Sequence, residues 1–186
     1  MPTICAVIDY ETLGLRSDCV VLSVGLAAFD IEKYEPDILQ FRPNSMYTNI
    51  QRAGQQHRSI DPSTEKWWEG QSEAARSMAF RDTPGMTLKE TVIAINTFLL
   101  ENEVTKLIGN GKEFDNLIYR SMCEDVGIEP VIPFWEDIDL RTMNWLSWKD
   151  KPLWPSHLIQ HVADHDAIFE AFAAQVYYHH LKRDES

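Results

Sequence analysis

Near the amino terminus an apolar run ends in two carboxylates: Ile4-Cys5-Ala6-Val7-Ile8 leads into Asp9-Tyr10-Glu11, then Thr12-Leu13-Gly14. The length and β-branched content of Cys5 to Ile8 predict a strand buried on both faces. Side chains two residues apart leave the same face of a strand, so Asp9 and Glu11 point one way and Tyr10 the other. At a rise of about 3.3 Å per residue their Cβ atoms lie roughly 6 to 7 Å apart at the strand's end, a spacing that one divalent cation can bridge. The plainer reading of the same residues is two solvated carboxylates at a turn, and Asp-x-Glu alone is a weak motif.

The elements that would position this pair follow in order. Asp18 to Asp30 is a second strand-like run after the polar turn Arg16-Ser17-Asp18, giving a hairpin with the first strand. Ser45 to Ile50 is a weaker third strand, with Pro36 and Pro43 marking irregular connections before it. Asp61-Pro62-Ser63-Thr64-Glu65 opens a short helix with a capping Asp, Pro at its first position and an acid in its first turn; this helix carries Trp67 and Trp68. Ser72 to Phe80 is a second short helix, interrupted at Thr83-Pro84-Gly85.

Thr87-Leu88-Lys89-Glu90 is a capping box, and the helix it opens has Leu88, Val92, Ile95, Phe98 and Leu99 on the stripe that covers the sheet. Thr105 to Ile108 is a strand, and Gly109-Asn110-Gly111 turns the chain into a helix from about Phe114 to Val126 that Gly127 ends. Asp115 starts that helix, at the carboxyl end of the sheet where α/β folds bind ligands. A helix near Leu140 to Trp148 lies between Pro-rich segments. The last runs from Asp164 to Leu181, with Ile168, Phe169, Phe172, Val176 and Tyr177 as its buried stripe.

A chain of 186 residues, 44% hydrophobic and 25% charged, is long enough to bury one sizeable core, which predicts a single domain over residues 1–186. Without a membrane-length apolar run or a leader pattern, the expected location is the cytoplasm, the host cytoplasm if a phage encodes the chain. No membrane partner is expected. Cys5, Cys19 and Cys123 are odd in number and widely separated, which suits neither a zinc ribbon nor a disulfide framework; they are expected to be reduced and structural. The net charge of −12 argues against a protein that coats long nucleic acid. It does not exclude an enzyme that grips one strand end, because a site for two divalent cations itself concentrates carboxylates.

Three separated pieces, Asp9-x-Glu11, Asn110-x-x-x-Phe114-Asp115 and His161-x-Ala163-x-x-Asp166-Ala167, together resemble the three motifs of the DnaQ-like 3′ to 5′ exonucleases, DEDDh branch. Within that superfamily the chain is similar above all to the group of phage exodeoxyribonuclease A and the exoribonuclease RNase AS. The run Ile60-Asp61, Thr64, Trp67-Trp68, Gln71 and Ala75-Arg76 is similar to that group, as are Gly109-Asn110-Gly111 before Phe114-Asp115-Asn116, and Asp139-Leu140-Arg141-Thr142.

The resemblance implies an RNase H-like α/β fold, a mixed β-sheet flanked by helices. It implies a 3′ to 5′ exonuclease releasing 5′-monophosphates from single-stranded ends, DNA favoured over RNA. Asp9, Glu11, Asp115 and Asp166 would hold two Mg²⁺ or Mn²⁺ ions, His161 would be the general base, and Thr12, Leu13, Asn110, Phe114, Trp67, Trp68 and Gln71 would meet substrate. The partners it implies are single-stranded DNA or RNA 3′ ends, with a homodimer left open.

The chemistry agrees with such an assignment. Hard cations take oxygen ligands, and two of them about 3.5 to 4 Å apart stabilise both the attacking and the departing oxygen of a phosphodiester. An imidazole titrates near neutrality and can take a proton from water. Positions five apart on a helix are about 500° apart, so His161 belongs on the loop entering the last helix and Asp166 in its first turns. His165 is the local rival, and Asp164 is expected to cap the helix. Adjacent Trp67 and Trp68 diverge by about 100°, so one is expected in the core and the other free to stack on a base. Gln71 and Arg76 are weaker candidates for phosphate or ribose contact. The alternatives are a silent nucleic-acid-binding module on the same fold, or an acidic surface that imitates nucleic acid; fold alone does not choose between them.

Overall fold

The computed structural model describes residues 2–81 and 85–183. Five strands form one sheet in the order β3-β2-β1-β4-β5: β1 Ile4–Thr12, β2 Val21–Asp30, β3 Asn44–Asn49, β4 Lys106–Gly109 and β5 Asp137–Asp139. β1 pairs antiparallel with β2, and β2 with β3, whereas β1 and β4, and β4 and β5, run parallel. The sheet is mixed, as expected. Among the described residues six α-helices accompany it: α1 Pro62–Glu69, α2 Glu73–Ala79, α3 Leu88–Glu101, α4 Asp115–Val126, α5 Leu140–Ser147 and α6 Ala163–Arg183.

Strand alternation assigns each face a layer. Ala6, Ile8 and Tyr10 of β1 join Val92, Ile95 and Leu99 of α3 and Ile118, Tyr119 and Met122 of α4 in one core. Cys5 and Val7 join Ala167, Ala171, Phe172 and Ala174 of α6 and Leu140 of α5 in the other. By the same parity Asp9 and Glu11, two and four residues after Val7, face α6. A third, smaller core of Leu13, Val20, Leu22, Trp68, Ala75 and Ala79 seats α1 and α2 against the end of the β1–β2 hairpin. The three cysteines are buried and free.

Local signals explain most of these boundaries. Asp61 caps α1 by accepting from the Ser63 N–H at 2.8 Å, with Pro62 at the first position. Thr87 and Glu90 form the capping box of α3. Gly127 ends α4 at φ 65°, a left-handed conformation that glycine adopts without steric cost. Of the expected break at Thr83-Pro84-Gly85, the first two residues lie outside the described residues.

Four expectations change. The Asp9-Tyr10-Glu11 segment is not a turn: β1 continues through it to Thr12, because β2 supplies partners as far as Glu11↔Ser23, and only then does the register shift. β2 starts at Val21 rather than Asp18; Cys19 instead bridges to Ser59. Asp137–Asp139 is an edge strand, formed by parallel pairing with β4 that its two aspartates do not advertise. In α6 Phe169, Phe172 and Tyr177 are buried as expected, but Ile168 and Val176 are only partly so, and Ala167, Ala171 and Ala174 share the buried face.

Those alanines let α6 lie close to the sheet, and Gly25 sets how close. Gly25 is the β2 partner of Asp9, and a Cβ there would sit 2.2 Å from the backbone of Ala163 and Asp164. Gly25→Ala should therefore push the start of α6 away from β1 and cost about 1 to 3 kcal/mol, as overpacking does. Gly70→Ala, where a Cβ meets only the Trp67 carbonyl oxygen at 3.4 Å, should stay within about 0.5 kcal/mol. Denaturant unfolding of the two variants checks the contrast, and equal losses would contradict it.

Candidate active site

At the carboxyl end of β1 a cleft of about 290 Å³ is lined by Asp9, Tyr10, Glu11, Asn110, Lys151, Trp154, Gln160, His161, Asp166 and Glu170. β1 delivers Asp9 and Glu11, and the turn after β4 delivers Asn110. The start of α6 delivers Asp166, and its next turn Glu170. Asp115 stands behind the cleft wall, only 2% exposed, at the first residue of α4. Its Oδ2 would be 3.3 Å from a Cβ on Gly109, so the bare glycine at the end of β4 is what lets the helix start approach the sheet.

The geometry at the start of α6 separates the two histidines. His161 has φ 63°, a left-handed conformation uncommon outside glycine, and one of its ring nitrogens lies within 4.8 Å of carboxylate oxygens of both Glu11 and Asp166. Asp166 reaches back to accept from the Val162 N–H at 3.0 Å while its own N–H donates to the Val162 carbonyl, which fixes the loop carrying His161. Asp164, expected as the cap, lies inside the helix, and its Oδ1 is buried without a hydrogen-bond partner. His165 accepts the Ile159 N–H on Nδ1 at 2.9 Å. In the neutral ring the proton is then on Nε2, so no lone pair is left for proton abstraction.

The electrostatics follow from burial. Asp9 and Glu11 are pushed well above the ordinary carboxylate range, first by desolvation and then by the neighbouring carboxylates, Glu170 foremost for Asp9 and Asp166 for Glu11. Glu170 is raised in the same way, by burial and then by Asp115 and Asp166. Burial lifts Asp115 and Asp166 each to about 7, against the pull of backbone N–H groups at Asn110 and at His161 and Val162. Burial also lowers His161, which favours the neutral base near pH 7. Among the described residues, no Lys or Arg forms an ion pair with any of the five carboxylates. A set of hard oxygen donors, desolvated and mutually repelling, fits divalent cations such as Mg²⁺ or Mn²⁺.

Two further clefts adjoin. One of about 440 Å³ shares Tyr10 and Glu11 with the acid cleft and is otherwise lined by Thr12, Leu15, Ser63, Thr64, Trp67, Trp68 and Phe114. The next, about 430 Å³, shares Leu15 and Phe114 and adds Lys112 and Arg141. Trp67 is 44% exposed and packs edge-on against His161, with ring centroids 4.8 Å apart. Trp68 is the core member of the pair, 2% exposed, its indole N–H donating to the Thr12 carbonyl at 2.9 Å.

The structure thus brings Asp9, Glu11, Asp115, His161, Asp166, Asn110, Thr12, Phe114 and Trp67 to one region. It does not bring Leu13, whose side chain is in the small core, or Gln71, which bonds back to the Trp67 carbonyl at the end of α1. Arg76 likewise turns to the Glu69 carbonyl. Sequence reasoning missed Glu170, Lys151 and Trp154. Only Glu170 carried a signal, its i+4 spacing from Asp166.

These shifts have a consequence for stability. Asp115 and Asp166 titrate at about 7 in the fold against an ordinary 3.8, so between those values the folded state holds protons that the unfolded chain releases. Stability of the metal-free protein should therefore fall as pH rises from about 4 to 7. Millimolar Mg²⁺ or Mn²⁺ should raise the melting temperature, most at the upper end of that range. Thermal scans with and without cation check both; a pH-independent melting temperature that no cation shifts would contradict them.

Comparison with known proteins concerns the fold and the family. The structure superposes on E. coli exonuclease I in its zinc-bound complex with single-stranded DNA at TM-score 0.60 and 15% identity, covering 100% of this chain and 41% of that one. The chain therefore spans about two fifths of the length of exonuclease I. The nuclease domain of 3′hExo, a DEDDh family member bound to rAMP, matches at TM-score 0.58 and 10% identity, covering 96% and 92% of the two chains. The RNase domain of the yeast Pop2 protein matches at 0.57 and 12%, covering 94% and 76%. At these identities the likeness is one of fold, the RNase H-like exonuclease fold. No curated protein sequence matches the chain. The family model described as the 3′-5′ exoribonuclease Rv2179c-like domain matches residues 5–178, and the chain belongs to that family.

Proposed function

We propose that this protein is a divalent-metal-dependent 3′ to 5′ exonuclease that removes 5′-mononucleotides from single-stranded ends. The observation that carries the reading is the convergence of Glu11, His161 and Asp166 within 4.8 Å at the mouth of a cleft that also holds Asp9 and backs onto Asp115. A catalytically silent binding module would not need a neutral imidazole facing a set of desolvated carboxylates. The family description supports RNA as the first substrate to test. The complex of exonuclease I with single-stranded DNA supports DNA as the second. Membership of the phage exodeoxyribonuclease A group within the superfamily remains part of this proposal.

Asp9, Glu11, Asp115 and Asp166 would hold two Mg²⁺ or Mn²⁺ ions, which when bound make water more acidic and offset the charge growing on the phosphate. His161 takes the proton of the attacking water at the ring nitrogen that faces Glu11 and Asp166. Its lowered pKa keeps that nitrogen unprotonated, and the Trp67 edge restrains the ring. The neighbouring apolar cleft, sharing Glu11, seats the sugar and base of the terminal nucleotide, with Trp67 and Phe114 as its aromatic walls. Lys112 and Arg141 then meet the phosphates that follow. Lys151, at the rim of the acid cleft, is the one cation there to meet the scissile phosphate.

Two measurements test this. With 5′-labelled RNA and DNA oligonucleotides and Mg²⁺ or Mn²⁺, the label should shorten as a ladder from the 3′ end, cease with chelator or in Asp9→Asn, and leave a circular strand intact. Cleavage of the circle at a comparable rate would show an endonuclease. His161→Ala should lower kcat by about 10² to 10⁴ and abolish the acid limb of the pH profile, whereas His165→Ala should keep both the limb and most of the rate. A larger loss at His165 would overturn the assignment of the base.

A further inference from the structure

Resting on the reading of the acid cleft as a divalent-cation site, we propose that Glu170 is a fifth anionic group of that site. It is a positioning residue, held by Asn110, whose carboxylate would add to the affinity for the cations that Asp9, Glu11, Asp115 and Asp166 would hold. Glu170 lies one helical turn beyond Asp166, on the same face of α6, and lines the cleft at only 4% exposure. Its Oε1 accepts from Asn110 Nδ2 at 2.6 Å, and Asn110 Oδ1 in turn accepts from Arg141 Nε at 3.4 Å. The chain Arg141–Asn110–Glu170 thus runs from the surface to the cleft and holds Oε1 in place. Oε2 is buried and has no hydrogen-bond partner.

Gln175, further along the same helix, is a structural polar group with both ends satisfied, whereas Glu170 Oε2 is buried without a partner, as is Asp164 Oδ1 in the first turn. Gln175 is 1% exposed, and both ends of its amide are used: the oxygen accepts the Glu35 N–H at 2.7 Å and the nitrogen donates to the Glu35 carbonyl at 3.1 Å. Glu170 instead has a single neutral partner and stands among four other carboxylates. For a group whose task was to join α6 to the sheet, an uncharged side chain would serve better. A carboxylate is favoured there when cations are present, and groups that support metal ligands from outside the coordination shell commonly change metal affinity by about 10- to 100-fold.

The experiment is Mn²⁺ binding to the full chain without substrate, by electron paramagnetic resonance or calorimetry. Glu170→Gln keeps the shape and the Asn110 contact, so it should fold. Its metal-free melting temperature should be no lower than that of the parent, since a neutral amide replaces a carboxyl whose charged form is disfavoured there, while its Mn²⁺ affinity should fall by about 10- to 100-fold. Asn110→Ala should move affinity in the same direction by less. These opposite signs are not what loss of a structural contact gives. Mn²⁺ affinity unchanged or tighter in Glu170→Gln would overturn the inference while leaving the exonuclease reading intact, provided the parent binds Mn²⁺ and Asp9→Asn does not. A parent that binds no Mn²⁺ would overturn the reading of the cleft itself. Should Glu170→Gln not fold, Glu170→Asp, with its charge withdrawn by one methylene, gives the same comparison.

Discussion

Mutual repulsion of buried carboxylates is the constraint on which the rest of the structure depends. Asp9, Glu11, Asp115, Asp166 and Glu170 are crowded into one end of the sheet, and among the described residues none is ion-paired to a Lys or Arg. Each is shifted upward by desolvation first; neighbouring carboxylates add to the shift at Asp9, Glu11 and Glu170, and backbone N–H groups oppose it at Asp115 and Asp166. Left to themselves these groups would move apart, so the scaffold must hold them more tightly than they repel. It does so from three directions, and each direction relies on a small residue. Gly25 lets α6 press on β2 beside Asp9, Gly109 lets α4 begin against the end of β4, and the alanines of α6 bring its whole length onto the sheet. Burial of the strand segment Cys5 to Ile8, each residue at 0% exposure, anchors the far end of the strand that carries the first pair.

The same crowding governs where an imidazole can act. Position 161 is in the loop, in a left-handed conformation that turns its ring toward Glu11 and Asp166, and the Asp166 carboxylate holds that loop through the Val162 N–H. Position 165 is one residue before Asp166 on the helix, and its ring is spent on the Ile159 N–H, tying down the segment that precedes α6. One histidine thus supports the loop that the other uses. Their neighbouring carboxylate, Asp166, both clamps the loop and lines the cleft.

Much of this was legible in the sequence because it depends on local rules. The face shared by Asp9 and Glu11 follows from the period of a strand, the caps at Asp61, Thr87 and Gly127 from side-chain chemistry, and the loop position of His161 from the angle between residues five apart. What was not legible depends on partners distant in sequence. Asp137–Asp139 becomes a strand only because β4 is there to pair with it. In the stripe of α6 the burial of Phe169, Phe172 and Tyr177 was legible, but Ala167, Ala171 and Ala174, which make the close approach to the sheet, were not, because large apolar residues attract attention. Glu170 had only its i+4 spacing from Asp166 as a signal, and its 4% exposure and the approach of Asn110 reveal it as part of the cleft.

A net charge of −12 is at odds with nucleic-acid binding only if affinity must come from many phosphate contacts. The line of three clefts is built otherwise. Its middle is apolar, with Trp67, Phe114 and the exposed Leu15, and the cations along it are few: Lys151 at the acid end, Lys112 and Arg141 at the other. Such a surface gains little from a long strand lying across it, since contacts end where the clefts end. Under the proposed function it would gain most from a terminus, where one nucleotide could be buried against aromatic walls and its phosphate brought to the carboxylates. Two bound divalent cations would offset up to four of the negative charges at the very point where that phosphate must sit. Acidity elsewhere on the surface then opposes non-productive adsorption along the strand without weakening the grip on its end.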